Sequence, residues 1–185
     1  KTRLEEYVKI NRNGKYALRF QLDGDSLVNV RCGTDDSDIV MISSTGFASR
    51  FACGKIRASG RVSAGVYGIK TGTRKGADGG HVVGMIATDN TETQILTISK
   101  YGMAKRSRLG TAEKIPYLDA DGIQKVDKDT GDLMERTDGY RKTNPGAKGA
   151  FTMNINKDEK DEIIAARHIP DSVSYTHLTL PTKRI

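Results

Sequence analysis

The residues best suited to a chemical role are basic side chains in three loops, each of which precedes a similar stretch of sequence. The first loop, 11–13, carries Arg12, the second, 59–61, carries Arg61, and the third, 141–148, carries three cations. Lysine and arginine donate charge-assisted hydrogen bonds to phosphate and carboxylate oxygens. The pattern therefore favours recognition of a polyanion.

Other reactive residue types are too scattered to predict a catalytic or metal centre. Cys32 and Cys53 belong to no CxxC pair and are expected to be reduced thiols. His81, His168 and His177 have no carboxylate or cysteine at ligand spacing. The tyrosines of the repeats are interpreted as packing or surface groups. We therefore predict no catalytic residue, no metal and no cofactor within this chain.

The distribution of charge strengthens the polyanion hypothesis. The chain has 185 residues, a net charge of +7, 36% hydrophobic residues and a mean hydropathy of −0.52. Residues 110–138 carry four basic and eight acidic side chains, which leaves 26 basic and 15 acidic side chains elsewhere. Nucleic acid is the favoured partner, and a merely soluble basic surface is the alternative. No apolar run has the length of a membrane span, and we expect a cytoplasmic protein without a membrane partner.

Repetition in the sequence predicts a bladed all-β fold. Glycine followed by apolar residues at alternate positions occurs at 14–19, 65–70 and 149–154, the pattern of a half-buried strand. β-rich runs enter hairpin turns at Gly46 and Gly102, which lie 56 residues apart. Short strands repeated at this period are typical of propeller-like arrays, whose units bury one another's faces.

The repeats also reveal an insertion. Gly46 and Gly65 are 19 residues apart, whereas the equivalent Gly102 and Gly149 are 47 apart. The extra residues fall at about 110–138, an acidic stretch that lacks the glycine and glutamate positions of a helix–loop–helix calcium site. A solvated loop or a small hairpin is predicted there instead. Residues 1–171 are assigned to the repeat domain. Residues 172–185 resemble a translated sequencing-adapter tail and are excluded from the fold.

Several motifs, in order, resemble a known family. Residues 1–7 resemble its "K-T-x-L-x-E-[FY]" segment and residues 57–69 its "R-x-x-G-R-x-x-x-G-V-x-G-I" segment. Residues 102–107 resemble "G-Y-G-K-R-T", with Met103 in place of the usual aromatic residue. These motifs are those of the C-terminal DNA-wrapping domains of DNA gyrase A subunits, to which the topoisomerase IV A subunits are closely related. The family's box Gln-Arg-Arg-Gly-Gly-Lys-Gly is not present in full, and residues 144–149 are its nearest approach.

The resemblance implies a six-bladed β-pinwheel in which blades exchange strands, of which this chain holds a part. It implies a DNA-binding and DNA-wrapping role that guides the ATP-dependent negative supercoiling of duplex DNA by a type II topoisomerase. The partners implied are duplex DNA and, in an A2B2 assembly, the gyrase B subunit with a second A subunit. ATP and magnesium would bind on other domains, and the catalytic residues would also lie outside this chain.

The candidate phosphate contacts are the basic residues of the repeat loops and hairpins: Arg12, Lys15, Arg50, Arg57, Arg61, Lys105, Arg106, Arg108, Arg141, Lys142 and Lys148. Two alternatives stay open at this point. One is the A subunit of topoisomerase IV, where a similar disc helps to select the geometry of the DNA. The other is a non-catalytic propeller-type module that binds proteins and is basic only incidentally.

Overall fold

The computed structural model describes residues 1–9, 11–20, 22–71, 80–155 and 161–169. In chain order the strands are β1 (Asp38–Ser43), β2 (Phe47–Ala52), β3 (Val82–Thr88), β4 (Gln94–Ser99), β5 (Ala104–Arg108), β6 (Lys114–Pro116), β7 (Glu135–Thr137), β8 (Ala150–Phe151) and β9 (Ile163–Ile169). The helices in these ranges are two 3₁₀ turns, η1 (Leu4–Tyr7) and η2 (Cys53–Lys55), and neither could cross a membrane. The predicted all-β fold is confirmed. Residues 172–185 lie outside the described residues.

Two hairpins, β1–β2 and β4–β5, form equivalent units. Gly46 and Gly102 occupy their turns with φ of +91° and +88°, a conformation that glycine adopts without strain. Each hairpin gains a third strand on the same side, because β3 pairs with β1 and β9 pairs with β4. Both pairings carry an irregularity at the same repeat position, after Ile42 and after Ile98. The 56-residue period of the sequence is therefore a period of the structure.

The two units exchange a strand. Strand β8 follows β5 in the chain, yet it pairs with β2 and completes a four-stranded sheet of order β3-β1-β2-β8. The chain then crosses to the second sheet, β5-β4-β9, where the Thr97 hydroxyl lies 3.7 Å from the Met153 sulfur. Gly149 opens the exchanged strand at φ +81°, and a Cβ there would lie 2.0 Å from the Ala48 carbonyl oxygen. Only glycine fits this junction.

The hydrophobic core lies between the two sheets. Val40 and Ile42 from one sheet meet Ile95 and Ile163 from the other, and Met153 from the exchanged segment completes the cluster. Alternate residues of β4 are buried, as the period-two pattern predicts. Each fully buried aliphatic side chain of this kind contributes roughly 1.5–3 kcal/mol. The second unit therefore stabilises the first, and neither sheet buries its inner face alone.

The acidic insertion is a small hairpin with a closed neck. Strands β6 and β7 pair with each other, and Tyr140 N donates to Leu109 O at 2.8 Å where the chain leaves and returns. Two of its carboxylates, Asp119 and Asp127, accept backbone N–H groups of their own turns at 2.8–3.2 Å. Such side chains stabilise turns locally. These two acidic residues therefore have a structural role in the turns of the insertion.

Removal of residues 111–138 is expected to leave the two-sheet core folded. Joining Gly110 directly to Gly139 retains positive φ at both glycines, +71° and +67°, and retains the hydrogen bond across the neck. The shortened segment would have the same number of residues as the turn at 53–56, where Ile56 N donates to Cys53 O at 3.1 Å. We expect the free energy of unfolding, measured by urea titration, to change by less than about 1 kcal/mol. Loss of cooperative unfolding in the shortened chain would contradict this expectation.

Candidate nucleic-acid interface

Arg50 is a structural residue, and its prediction as a phosphate contact is wrong. Its side chain is fully buried, and its Nε and Nη2 donate to Asp38 Oδ2 at 2.9 and 2.6 Å. Its Nη1 donates to the carbonyl oxygens of Leu109, Gly110 and Tyr140 at 2.8–3.0 Å. The physical reason is that the second unit packs over this face of β2, so that no phosphate could reach the guanidinium.

Loop 141–149 brings three predicted cations to the edge of the first sheet. Thr143 N donates to Arg50 O at 2.6 Å, which ties the loop along β2. Lys142 Nζ lies 3.2 Å from Asp38 Oδ2, and Lys148 Nζ lies 4.8 Å from the centroid of the Phe47 ring. Arg141 is exposed and donates to Gly149 O at 3.3 Å. Strand pairing therefore holds the loop, while much of its positive charge faces solvent.

Two lysines that the sequence analysis did not select are hydrogen-bonded to this loop. Lys55 Nζ donates to Asn144 Oδ1 at 2.9 Å, and Lys70 N donates to Ala147 O at 3.2 Å. Both side chains are exposed. Lys70 had a detectable signal, because Arg19 stands at the same position of the first glycine-led copy. We call Lys55, Lys70, Arg141, Lys142 and Lys148 the loop cluster.

The hairpin cations Lys105 and Arg106 lie on β5 of the second sheet. Lys105 faces the core side, where its Nζ donates to Thr152 O at 2.6 Å. Arg106 is exposed and stands opposite Leu96, in one row with Arg167 of β9. The sheet therefore separates these neighbours in sequence onto opposite faces.

Arg108 is engaged by carboxylates. Its Nη2 lies 2.5 Å from Glu92 Oε1 and its Nη1 lies 4.0 Å from Asp138 Oδ1. The hydrogen bond that Arg108 donates to Glu92 raises the pKa of the Arg108 guanidinium. The backbone N–H of Thr111 holds the pKa of Asp138 below its ordinary value, which keeps this carboxylate charged. Arg108 would have to exchange these partners before contacting a phosphate.

The remaining candidates belong to the N-terminal segment and the second basic loop. Arg12, Lys15 and Arg57 are exposed, and no ion pair joins them to another described residue. Arg61 is half-buried, with Nη1 donating to Tyr16 O at 3.0 Å and Nε lying 3.8 Å from Glu6. The structure gives no contact that joins these four residues to the loop cluster.

Comparison with known proteins gives a consistent assignment. The family model described as "DNA gyrase C-terminal domain, beta-propeller" matches residues 1–33, 37–89 and 136–170. The longest part left out, 90–135, contains the β4–β5 hairpin and most of the insertion. The match therefore spans the glycine-led copies and both third strands.

Two individual proteins also match this chain in sequence. It is 33% identical over 168 residues to the DNA gyrase A subunit of Metamycoplasma arthritidis, a match that covers 91% of this chain and 15% of that protein. It is 32% identical over 111 residues to the DNA gyrase A subunit of Deinococcus deserti, covering 60% of this chain and 13% of that protein. The chain thus spans less than a sixth of the length of these relatives.

A solved structure shares the architecture. The chain superposes on the C-terminal domain of DNA topoisomerase IV with a TM-score of 0.55 and 16% sequence identity, covering 91% of this chain and 57% of that one. At this identity the likeness shows the fold alone, and it supports the bladed all-β prediction. The family match, the repeat motifs and the strand-exchanged fold agree, and this chain belongs to the DNA gyrase C-terminal domain family.

Proposed function

We propose that this chain binds and wraps duplex DNA as part of the A subunit of a type II topoisomerase of the gyrase kind. The loop cluster carries the proposal, because five lysine and arginine residues either belong to one loop or are hydrogen-bonded to it, and strand pairing holds that loop in place. Cations held on a rigid edge can contact successive phosphates without reading bases. Family membership makes DNA the favoured polyanion.

The mechanism follows from electrostatics. Each phosphate neutralised by a lysine or arginine releases condensed counterions, which supplies most of the binding free energy for sequence-independent contacts. Bending a duplex along a curved edge costs on the order of a few kcal/mol, which several such contacts offset. The proposed role in the whole enzyme is to present a wrapped DNA segment for strand passage in the bacterial cytoplasm. ATP and magnesium would bind to parts of the enzyme beyond this chain. A second A subunit and the gyrase B subunit would assemble through those parts as well.

The salt dependence of binding tests this function. We expect the logarithm of the association constant for a duplex, measured by fluorescence anisotropy, to fall linearly with the logarithm of salt concentration. The expected slope is about −0.9 for each phosphate contacted. Duplexes of unrelated sequence should bind with similar affinity, because the contacts are to the backbone.

Ligation of a nicked plasmid tests wrapping separately from binding. A nicked plasmid sealed by ligase in the presence of the chain should acquire a linking-number shift of one sign, whereas binding without wrapping would leave the distribution unchanged. Binding that does not vary with salt would rule out the proposed interface and leave the protein-binding propeller as the better interpretation.

A further inference from the structure

Loop 141–149 departs from the family box at the positions where the box carries two arginines. Residues 146–149 read Gly-Ala-Lys-Gly, which matches the Gly-Gly-Lys-Gly end of the box except at Ala147. The two residues before them are Asn144 and Pro145, whereas the box has Arg-Arg. These two positions of the loop therefore carry no positive charge of their own.

A lysine from a distant part of the chain lies at the first of these positions. Lys55 Nζ donates to Asn144 Oδ1 at 2.9 Å, although the two residues are 89 apart in the sequence. Lys55 is the last residue of η2, and Gly54 N of the same turn donates to Asp35 O at 2.8 Å. The lysine therefore projects from a backbone that is held independently of the loop.

The contact with Asn144 leaves the charge of Lys55 available. Its partner is a neutral amide oxygen, and no ion pair joins Lys55 to a carboxylate in the described part of the chain. Lys142 differs, because its Nζ lies 3.2 Å from Asp38 Oδ2. A lysine ammonium has three N–H donors, of which the bond to Asn144 uses one. The others can donate to phosphate oxygens while Asn144 keeps its hold.

Thr143 turns the Asn144 side chain towards solvent. Thr143 N and its hydroxyl both donate to Arg50 O, at 2.6 and 3.1 Å, and the hydroxyl lies 3.1 Å from Ser49 Oγ. Lys142 forms a β-bridge with Arg50, so the segment is extended here. Side chains alternate along an extended segment, and an inward Thr143 leaves both neighbours outward. Asn144 and Lys142 are indeed exposed, whereas Thr143 is half-buried.

Asn144 also begins a tight turn whose backbone is fixed. Ala147 N donates to Asn144 O at 3.1 Å, and Pro145 and Gly146 occupy the central positions, with a φ of +79° at the glycine. Proline followed by glycine at positive φ is the pattern of a type II turn. Gly146 N donates to Gly68 O at 3.0 Å, which attaches the turn to another segment of the chain. The Asn144 amide is thus presented from a backbone held on both sides.

We propose that Lys55 supplies a phosphate contact at the position where the family box carries an arginine, and that Asn144 is the residue that positions it. The proposal rests on the DNA-binding function proposed above. Asn144 fixes the ammonium group beside the loop, and the remaining N–H groups of Lys55 donate to a phosphate of the bound duplex. A polar contact between two exposed side chains contributes little to stability. The value of this contact therefore lies in binding rather than in the fold.

Lys55→Gln tests the phosphate contact in the full chain. The salt slope is the slope of the logarithm of the association constant against the logarithm of salt concentration, measured by fluorescence anisotropy with a duplex of mixed sequence. Loss of one lysine–phosphate contact should reduce the magnitude of the salt slope by about 1. Asn144→Ala should weaken binding when Lys55 is present and cause no further loss in the Lys55→Gln chain, because both substitutions act on the same contact.

Returning an arginine to the loop tests the position of the charge. Asn144→Arg in the Lys55→Gln chain should restore the salt slope and the affinity of the parent chain, because a cation again stands at the same place. Ala120→Arg in the same background gives an equal net charge but adds it to an exposed turn of the insertion, and it should restore neither quantity. The circular dichroism of every variant should match that of the parent, since all the substituted residues are exposed.

Three results would contradict the proposal. A Lys55→Gln chain with the salt slope of the parent would overturn the assignment of Lys55. Additive losses in Lys55→Gln and Asn144→Ala, or equal rescue by Ala120→Arg, would overturn the positioning role of Asn144. A parent chain whose binding does not vary with salt would instead overturn the proposed DNA-binding function itself.

Discussion

Replacement of Arg50 by methionine is expected to lower the free energy of unfolding by about 3–5 kcal/mol, the usual result of removing one partner from a buried ion pair. The variant keeps a long side chain but leaves Asp38 buried, with Lys142 at 3.2 Å as its remaining cation. It also removes the donor from three carbonyl oxygens at the junction of the two units. Unsatisfied buried acceptors of this kind are costly. Urea unfolding followed by circular dichroism measures the change.

Arg106→Met is the matched control for this measurement. Arg106 stands one repeat later, on the strand equivalent to β2, and its side chain is exposed. Surface substitutions of this kind usually change stability by less than about 0.5 kcal/mol. Equal destabilisation by the two substitutions would show that the carbonyl-bound arginine does not hold the units together.

Neutralising three cations of the loop cluster is expected to have the largest effect on DNA binding. Arg141→Gln, Lys142→Gln and Lys148→Gln together should reduce by about 3 the magnitude of the slope of the logarithm of the association constant against the logarithm of salt concentration. The triple variant should also bind duplex DNA roughly tenfold or more weakly. Asp38 keeps its bonds to Arg50 in this variant, so the core should remain folded. Anisotropy titrations over a range of salt concentrations measure both quantities.

An equal change of charge elsewhere provides the comparison. Lys114→Gln, Lys125→Gln and Lys128→Gln remove the same number of cations from the insertion, where acidic residues predominate. If net charge alone drives binding, the two triple variants will lose affinity equally, and the loop cluster will have no special role. We expect the insertion variant to keep the salt slope of the parent chain.

Much of the fold was predictable because its signals are local. Gly46 and Gly102 mark hairpin turns that require positive φ, and alternate apolar residues in β4 mark a strand with one buried face. The family motifs added the bladed architecture, and the family match confirms it. The insertion was also visible, from the altered spacing of repeated glycines, although its closed neck at Leu109 and Tyr140 was not.

The candidate site was less predictable, because exposure depends on contacts between distant segments. Arg50 and Arg106 occupy the same repeat position, yet one is buried against the next unit and the other faces solvent. Lys55 lies 89 residues from Asn144 in the sequence and bonds to it in the structure. A basic residue in a hairpin therefore does not predict a phosphate contact until the packing of neighbouring units is known.

The sequence by itself determined the repeat, the strand and turn pattern, the basic balance outside the insertion, and the family. Tertiary structure alone decided which of three similar glycine-led copies docks on a neighbouring strand. Copies 14–19, 65–70 and 149–154 share the same local pattern, but only the third has an acceptor edge within the described chain. The physical reason is that strand addition depends on an unpaired edge brought close by long-range packing, which no local pattern encodes. The same packing removed Arg50 from the surface and gathered the loop cluster at one edge.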